Sequence, residues 1–294
     1  MLKETKKHSS LTYSVVIPAH NEEAFLALTL DSLLSQSVLP EQIVVVNDHS
    51  TDSTPKILKD YQKASDRLTV VHRRSESKHM PGSKVVATFN AGLDHLNKGH
   101  DIIVKLDADL ILPSDYFEKV LNVFEQNPKA GIVGGFAWEQ EGNGEWKRNH
   151  PMNKDHVRGA FKSYSTPCFE AIGGLRPAMG WDTIDELLAR YNGYEIITLP
   201  ELKVKHLRPT GGSYNKKARL LQGEAMFLMR YGLPITLIAS AKMAFKQKKV
   251  MTFFHNIQGY FRAQIKNLPP AVTPEEGRFI RAFRWKGIKA QLPF

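Results

Sequence analysis

The 294-residue sequence predicts an α/β fold: a mainly parallel sheet flanked by helices, followed by a basic, largely helical extension. Three observations carry that prediction. Short β-branched runs ("SVVIP", "QIVVVN", "LTVVH", "DIIVK") alternate with helix-length stretches, the mark of βαβ units. Polar, acid-bearing turns ("PAHNEE", "NDHSTD", "DAD") follow three of these runs. Basic residues crowd the end: from Lys203 onward there are 18 Lys and Arg against three acids.

The elements follow in order. Residues 1–12 form a loose leader. "YSVVIPAH" (13–20) is a buried strand ended by Pro18. Asn21 then caps a helix running to about Gln36, with Glu22 and Glu23 suiting the dipole of its first turn. "EQIVVVNDHS" (41–50) is the second strand. A helix opens at Ser53 or Thr54 with Pro55 in its first position. "LTVVHRR" (68–74) is a strand, "GSKVVATFNAGLDHL" (82–96) a helix, "DIIVKLDADLIL" (101–112) one continuous strand, and "SDYFEKVLNVFEQN" (114–127) a helix capped by Ser114. Beyond Lys129 come a strand (130–140), the loop "EGNGEWKRNHPMNKD", a Gly-rich loop, a helix from about Thr183 and a strand ending at His206. Helices fill the rest. The domain reading is 1–12 leader, 13–212 catalytic domain and 213–294 basic helical segment.

Composition narrows the class. Apolar content of 42% and charged content of 24% are ordinary for a globular chain. A single cysteine, Cys168, excludes an internal disulfide. The polar, basic first residues lack an apolar core and cleavage site, so no signal peptide is expected. No apolar run reaches the roughly 18 residues of a transmembrane helix. The basic final third should seek something negative: a lipid surface, a phosphorylated ligand or nucleic acid.

In a parallel sheet, ligands bind beyond the carboxyl ends of the strands. The acid-bearing turns would meet at that edge. Asp107 and Asp109 are either a solvated turn or a pair of oxygen ligands for a divalent cation, with one free to meet a ribose. Asp48 either bonds its own turn or contacts a nucleotide. Gly82, Ser83 and Lys84 open a helix that can receive a diphosphate. Thr183 and Glu186 fit a capping box, which leaves Asp182 just outside the helix and Asp185 inside it as rival general bases. His206 is either packed or a metal ligand.

Taken together, "SVVIPAHNEEAFLALTLDSLLSQSVLPEQIVVVNDHSTDST", "GSKVVATFNAGL", "VKLDADLILP" and "GWDTIDELLARYNGY" resemble family 2 glycosyltransferases of the GT-A, Rossmann-like fold, over residues 13 to about 210. The basic C-terminal helices resemble those of bacterial members that work at the cytoplasmic membrane face. The resemblance implies an inverting sugar transfer from a nucleotide-sugar, with a UDP-sugar favoured, to a glycan or lipid-linked acceptor. It implies Mg²⁺ or Mn²⁺ as cofactor. It places Pro18, Ala19, Asn21 and Glu22 at the nucleotide, Asp48 at the base or ribose, and Lys84 at the ribose or diphosphate. Asp107 would meet ribose or metal, and Asp109 and His206 the metal. Asp182 matches the base of the family's usual Glu-Asp pair. Trp181 stands where the Glu belongs, and sliding the match nominates Asp185 instead. Peripheral attachment to an anionic membrane surface is expected, and nucleic-acid binding is not. The rival readings are a nucleotidyltransferase on the same type of sheet and an inactive basic membrane-binding protein.

Overall fold

A computed structural model of the chain describes residues 10–74, 82–142, 144–148, 155–208 and 216–290. The first half is a repeated βα pattern. Strands β1 (Tyr13–Ala19), β2 (Gln42–Asp48), β3 (Leu68–Arg73) and β4 (Ile102–Leu106) are separated by helices α1 (Leu26–Leu34), α2 (Thr54–Ala64) and α3 (Ser83–Leu93). β1 pairs in parallel with β2 and β4, and β2 with β3. Every residue of β2 and β4 is buried. Helices cover both sheet faces there, which is why these strands are continuous apolar runs rather than alternating ones.

The second half adds β5 (Leu110–Ile111), α4 (Tyr116–Gln126), β6 (Ala130–Gln140), β7 (Trp146–Arg148), β8 (Phe161–Ser165), α5 (Thr166–Ala171), α6 (Trp181–Tyr191) and β9 (Glu195–His206). Among the described residues the sheet has nine strands, with order β3-β2-β1-β4-β8-β6-β9-β5 and β7 paired to β6. β8 lies antiparallel to both β4 and β6, so the parallel half of the sheet ends at β4.

Several sequence-based boundaries change. The stretch 101–112 is two strands, not one: β4 pairs with β1 and β8, while β5 pairs with β9. The turn between them holds Asp107 and Asp109. Asn21 does not cap α1. It takes a left-handed conformation and its side-chain oxygen accepts from the Thr51 N–H at 2.8 Å, while Phe25 opens the helix. Asp115, not Ser114, precedes α4. Residues 146–148 of the expected loop form β7, β8 lies in a stretch that the sequence left without an element, and α5 occupies the start of the region read as Gly-rich loop. α6 starts at Trp181 after left-handed Gly180. Thr183 therefore lies in the first turn, and no capping box forms there. The leader lies largely outside the described residues, and so does the 212/213 domain boundary.

Four helices close the chain: α7 (Lys216–Leu228), α8 (Gly232–Gln247), α9 (Met251–Ile265) and α10 (Pro274–Lys289). α7 and α9 pack backbone against backbone. A Cβ on Gly259 would sit 1.9 Å from the Leu220 carbonyl oxygen, and one on Gly223 would sit 1.8 Å from that of Asn256. α10 carries the capping box that α6 lacks, between Thr273 and Glu276. Glu276 also receives two hydrogen bonds from Arg176, at 2.7 and 2.8 Å, which ties the bundle to the sheet domain.

Gly259→Ala should therefore destabilise the chain by about 1–3 kcal/mol, the usual cost of overpacking. Gly287→Ala, where an added methyl meets nothing within 4 Å, should stabilise it by a few tenths of a kcal/mol up to about 1 kcal/mol through helix propensity. Denaturant melts of the two variants check both signs.

Candidate active site

The carboxyl ends of β1, β2 and β4 lie side by side at one edge. β1 brings Pro18 and Ala19 there, in register with Val46 and Asn47 of β2. The next residues are held by the β2–α2 turn: the Asn21 N–H donates to Ser50 Oγ at 3.0 Å and the Glu22 N–H to Thr54 Oγ1 at 2.8 Å. The Glu22 carboxylate accepts two hydrogen bonds from Arg208, at 2.6 and 3.1 Å. Burial pushes the Glu22 carboxyl up from its ordinary range against the pull of Arg208, and the nearby charges of Asp109 and Asp107 add to the rise.

Asp48 is buried at the end of β2. Thr88 Oγ1 donates to it at 3.2 Å and the Lys84 ammonium lies 3.4 Å away. Two residues expected at the nucleotide thus pair with each other. Gly82, just ahead of α3, has φ of 85°, and a Cβ there would lie 2.9 Å from the Ala178 carbonyl oxygen. Only glycine lets α3 start this close to the loop that leads into α6.

The β4–β5 turn and the end of β9 form an acidic cluster. Ligand atoms of Asp107, Asp109 and His206 all lie within 4.8 Å of one another. The β5–β9 register, with Leu110 opposite His206, brings them together. His206 Nε2 is 3.3 Å from Asp109 Oδ1. His206 Nδ1 is buried, has no hydrogen-bond partner among the described residues, and lies 3.8 Å from Glu139 Oε1. Glu139 is in turn held by Arg158 at 3.2 Å. Two carboxylates and an imidazole backed by a further carboxylate suit a divalent cation. The donor set fits the expected metal.

Beside this cluster lies a buried charge network. Lys105 and Lys162 face each other across the β4–β8 pair, and both are buried. The Lys105 ammonium contacts the Asp107 carboxylate. Lys162 Nζ donates to both Asp185 oxygens, at 2.8 and 2.9 Å, and to the Asp182 carbonyl oxygen at 2.6 Å. The Trp181 ring sits over both ammonium groups, 5.3 Å from Lys105 Nζ and 5.8 Å from Lys162 Nζ. Trp181 thus meets two buried ammonium groups by cation–π contact.

This network separates the two candidate bases. Asp185 is buried and also accepts from Tyr164 Oη at 2.6 Å and the Glu186 N–H at 2.6 Å. Burial raises its pKa to about 6, with Lys162 opposing. Glu186 accepts from the Val157 N–H at 2.8 Å and meets His156 Nδ1 at 3.0 Å. Burial acts to raise Glu186, but Lys162 and His156 outweigh it and hold the carboxyl below its ordinary range. Asp182, in contrast, is only partly buried in the first turn of α6, where its charge acts on Lys162 and His156.

Sequence reasoning missed Lys162, Tyr164, Glu139 and Arg208. A lysine inside an apolar strand, as in "IIVKL" and "AFKSY", is the signal that could have pointed to the buried pair.

The sheet order and the acidic edge define a GT-A fold. The profile described as Glycosyl transferase family 2 matches residues 14–178, more than half of the chain, and the protein belongs to that family. It is 28% identical over 122 residues to poly-beta-1,6-N-acetyl-D-glucosamine synthase of Staphylococcus epidermidis, a match covering 42% of this chain and 27% of that protein. It is 31% identical over 127 residues to validoxylamine A glucosyltransferase of Streptomyces hygroscopicus subsp. limoneus, covering 42% and 26%. The chain thus spans about a quarter of the length of these relatives. Among solved structures it is similar to S. aureus TarS 1–349 with UDP-GlcNAc (TM-score 0.56, 18% identity, 74% of this chain and 67% of that one). It is also similar to the mannosyltransferase PcManGT of Pyrobaculum calidifontis with GDP-Man and Mn²⁺ (TM-score 0.53, 18% identity, 98% and 80%).

Lys162→Met should cost about 3–5 kcal/mol of stability, because it leaves two buried carboxylates without their cation. The His156–Glu186 pair should show a pH signature. Burial acts to lower the His156 pKa, but Glu186 outweighs it and the net shift is upward. A raised histidine pKa stabilises the fold below the unfolded value and loses that contribution as pH rises through the folded one. The stability difference between the native chain and His156→Gln should therefore shrink from pH 6 to pH 8.5 in urea titrations.

Proposed function

We propose that the protein transfers a sugar, with inversion, from a nucleotide-sugar to a hydroxyl of a glycan or lipid-linked acceptor. The observation that carries this reading is the meeting of Asp107, Asp109 and His206, with Asp182 in the first turn of the helix whose Trp181 ring lies over the lysine paired to Asp107. The GT-A neighbours with UDP-GlcNAc and with GDP-Man support a nucleotide-sugar donor. A UDP-sugar is the donor favoured from the sequence.

Asp109, His206 and Asp107 would hold Mg²⁺ or Mn²⁺, which when bound neutralises charge on the leaving diphosphate. Pro18, Ala19, Asn21 and Glu22 form the wall for the nucleotide, and Asp48 with Lys84 meets its ribose and phosphate side. Asp182 accepts the proton of the acceptor hydroxyl as its oxygen bonds to the anomeric carbon. The bond from that carbon to the diphosphate breaks, and the diphosphate leaves with the electron pair. One displacement inverts the anomeric centre. Asp185 serves as the buried counter-ion of Lys162, which holds the start of α6 and so aims Asp182. The basic helices would bring the protein to an anionic membrane surface on the cytoplasmic face. Membership of the glycosyl transferase family argues against the nucleotidyltransferase reading.

The test is a thermal-shift and hydrolysis scan against UDP- and GDP-sugars, with and without Mn²⁺. One donor should raise Tm only when metal is added, and Asp109→Ala should abolish that shift. Asp182→Asn should keep the shift while turnover falls roughly 10²–10⁴-fold, the usual contribution of a general base. A donor-induced shift without turnover in the native protein would instead favour the inactive binding protein.

A further inference from the structure

α8 and α9 expose an unusual amount of apolar surface. The fully buried side of α9 is Thr252, Asn256, Gly259 and Ala263, which share one helical face against α7. The opposite face carries Phe254, Phe261 and Ile265, all exposed, Ile265 by 80%. α8 does so in part: Ile235, Thr236 and Ser240 are buried while Leu237, Ile238 and Phe245 are exposed, Phe245 by 86%. A surface helix in water buries its apolar stripe. These two also carry large apolar side chains on the side away from the core.

The effect concentrates where the helices join. Lys248 takes a left-handed conformation that ends α8, and α9 begins at Met251. Phe245, Val250 (71% exposed), Met251 and Phe254 (56% exposed) project around that turn. Lys246, Lys248 and Lys249 are exposed among them. The sequence has no Asp or Glu between Glu224 and Glu275.

We propose that the α8–α9 tip is a docking surface that seats in the headgroup layer of an anionic bilayer. The apolar side chains enter the boundary between headgroups and acyl chains, and the lysines stay among the anionic headgroups. A second copy of the tip would set lysine against lysine with no acid to relieve it. Nucleic acid would satisfy the lysines and leave Val250, Met251 and Phe254 unrewarded. No described helix is long and apolar enough to cross a membrane, so the contact is in the plane of the surface. The proposal deepens the membrane contact of the proposed function and is independent of its donor chemistry.

The test is co-sedimentation of the full chain with vesicles of 70% phosphatidylcholine and 30% phosphatidylglycerol, and with pure phosphatidylcholine, at 0.1 and 0.5 M NaCl. The expected result is binding to the anionic vesicles that falls at least tenfold in pure phosphatidylcholine or at high salt. Phe245→Ser/Phe254→Ser and Lys246→Glu/Lys248→Glu/Lys249→Glu should each lose binding at least tenfold. Both should keep the native melting temperature and the Mn²⁺-dependent donor shift, which separates this proposal from the donor reading. Failure of the native chain to sediment would overturn the proposal. So would variants that bind as well as the native chain, or vesicle-free dimers that the phenylalanine substitutions dissolve.

Discussion

Two lysines are buried side by side on neighbouring strands, and the rest of the site follows from neutralising them. Lys105 and Lys162 are cross-strand partners in the β4–β8 pair. Each ammonium needs a carboxylate or the sheet cannot close around it. Lys105 takes Asp107 from the turn that follows its own strand. Lys162 takes Asp185 and Glu186 from α6. The Trp181 ring lies over both cations and joins the two halves. The β4–β5 turn and the helix bearing Asp182 are thereby fixed to each other through one indole. Neither can move without stripping a buried charge of its partner.

The parallel half of the fold was legible in the sequence. Its strands are unbroken β-branched runs ended by polar turns, and that pattern has few other readings. The acidic turns and His206 stood out for the same reason. What stayed hidden depends on distant partners. The break between β4 and β5 is invisible within "IIVKLDADLIL", because both pieces are apolar and only their pairing differs. β8 was missed because "FKSYS" carries a lysine and two serines in five residues, yet Phe161, Lys162, Ser163 and Tyr164 are all buried. Glu186 looked like half of a capping box, and only the Val157 N–H and His156 beside it show its actual work. A lysine that neutralises carboxylates some twenty residues away has no local signature.

The helical bundle is not a loose appendage to the site. Arg176 leaves the loop before α6 and grips Glu276 at the start of α10. Tyr191 at the end of α6 meets Phe279 edge-on at 5.4 Å, and Arg190 lies over Phe283. Both ends of the α6 region are therefore fastened to α10. α7 and α9 are locked by facing glycines. A surface that captured the α8–α9 tip would therefore also fix the orientation of α6.

The two-residue strand β5 also orders events in time. Its partner is the last pair of residues in β9, so Leu110 meets His206 only after the intervening chain has closed on itself. Loop closure over that span is slow compared with the local βα pairings that build β1 to β4. During synthesis the parallel β1–β4 edge can form while the later strands are still inside the ribosome. Asp107 and Asp109 then wait for their imidazole. A chain stopped before His206 would keep much of its sheet and lack the imidazole of this cluster, so the cluster is complete only once nearly the whole sheet has been made.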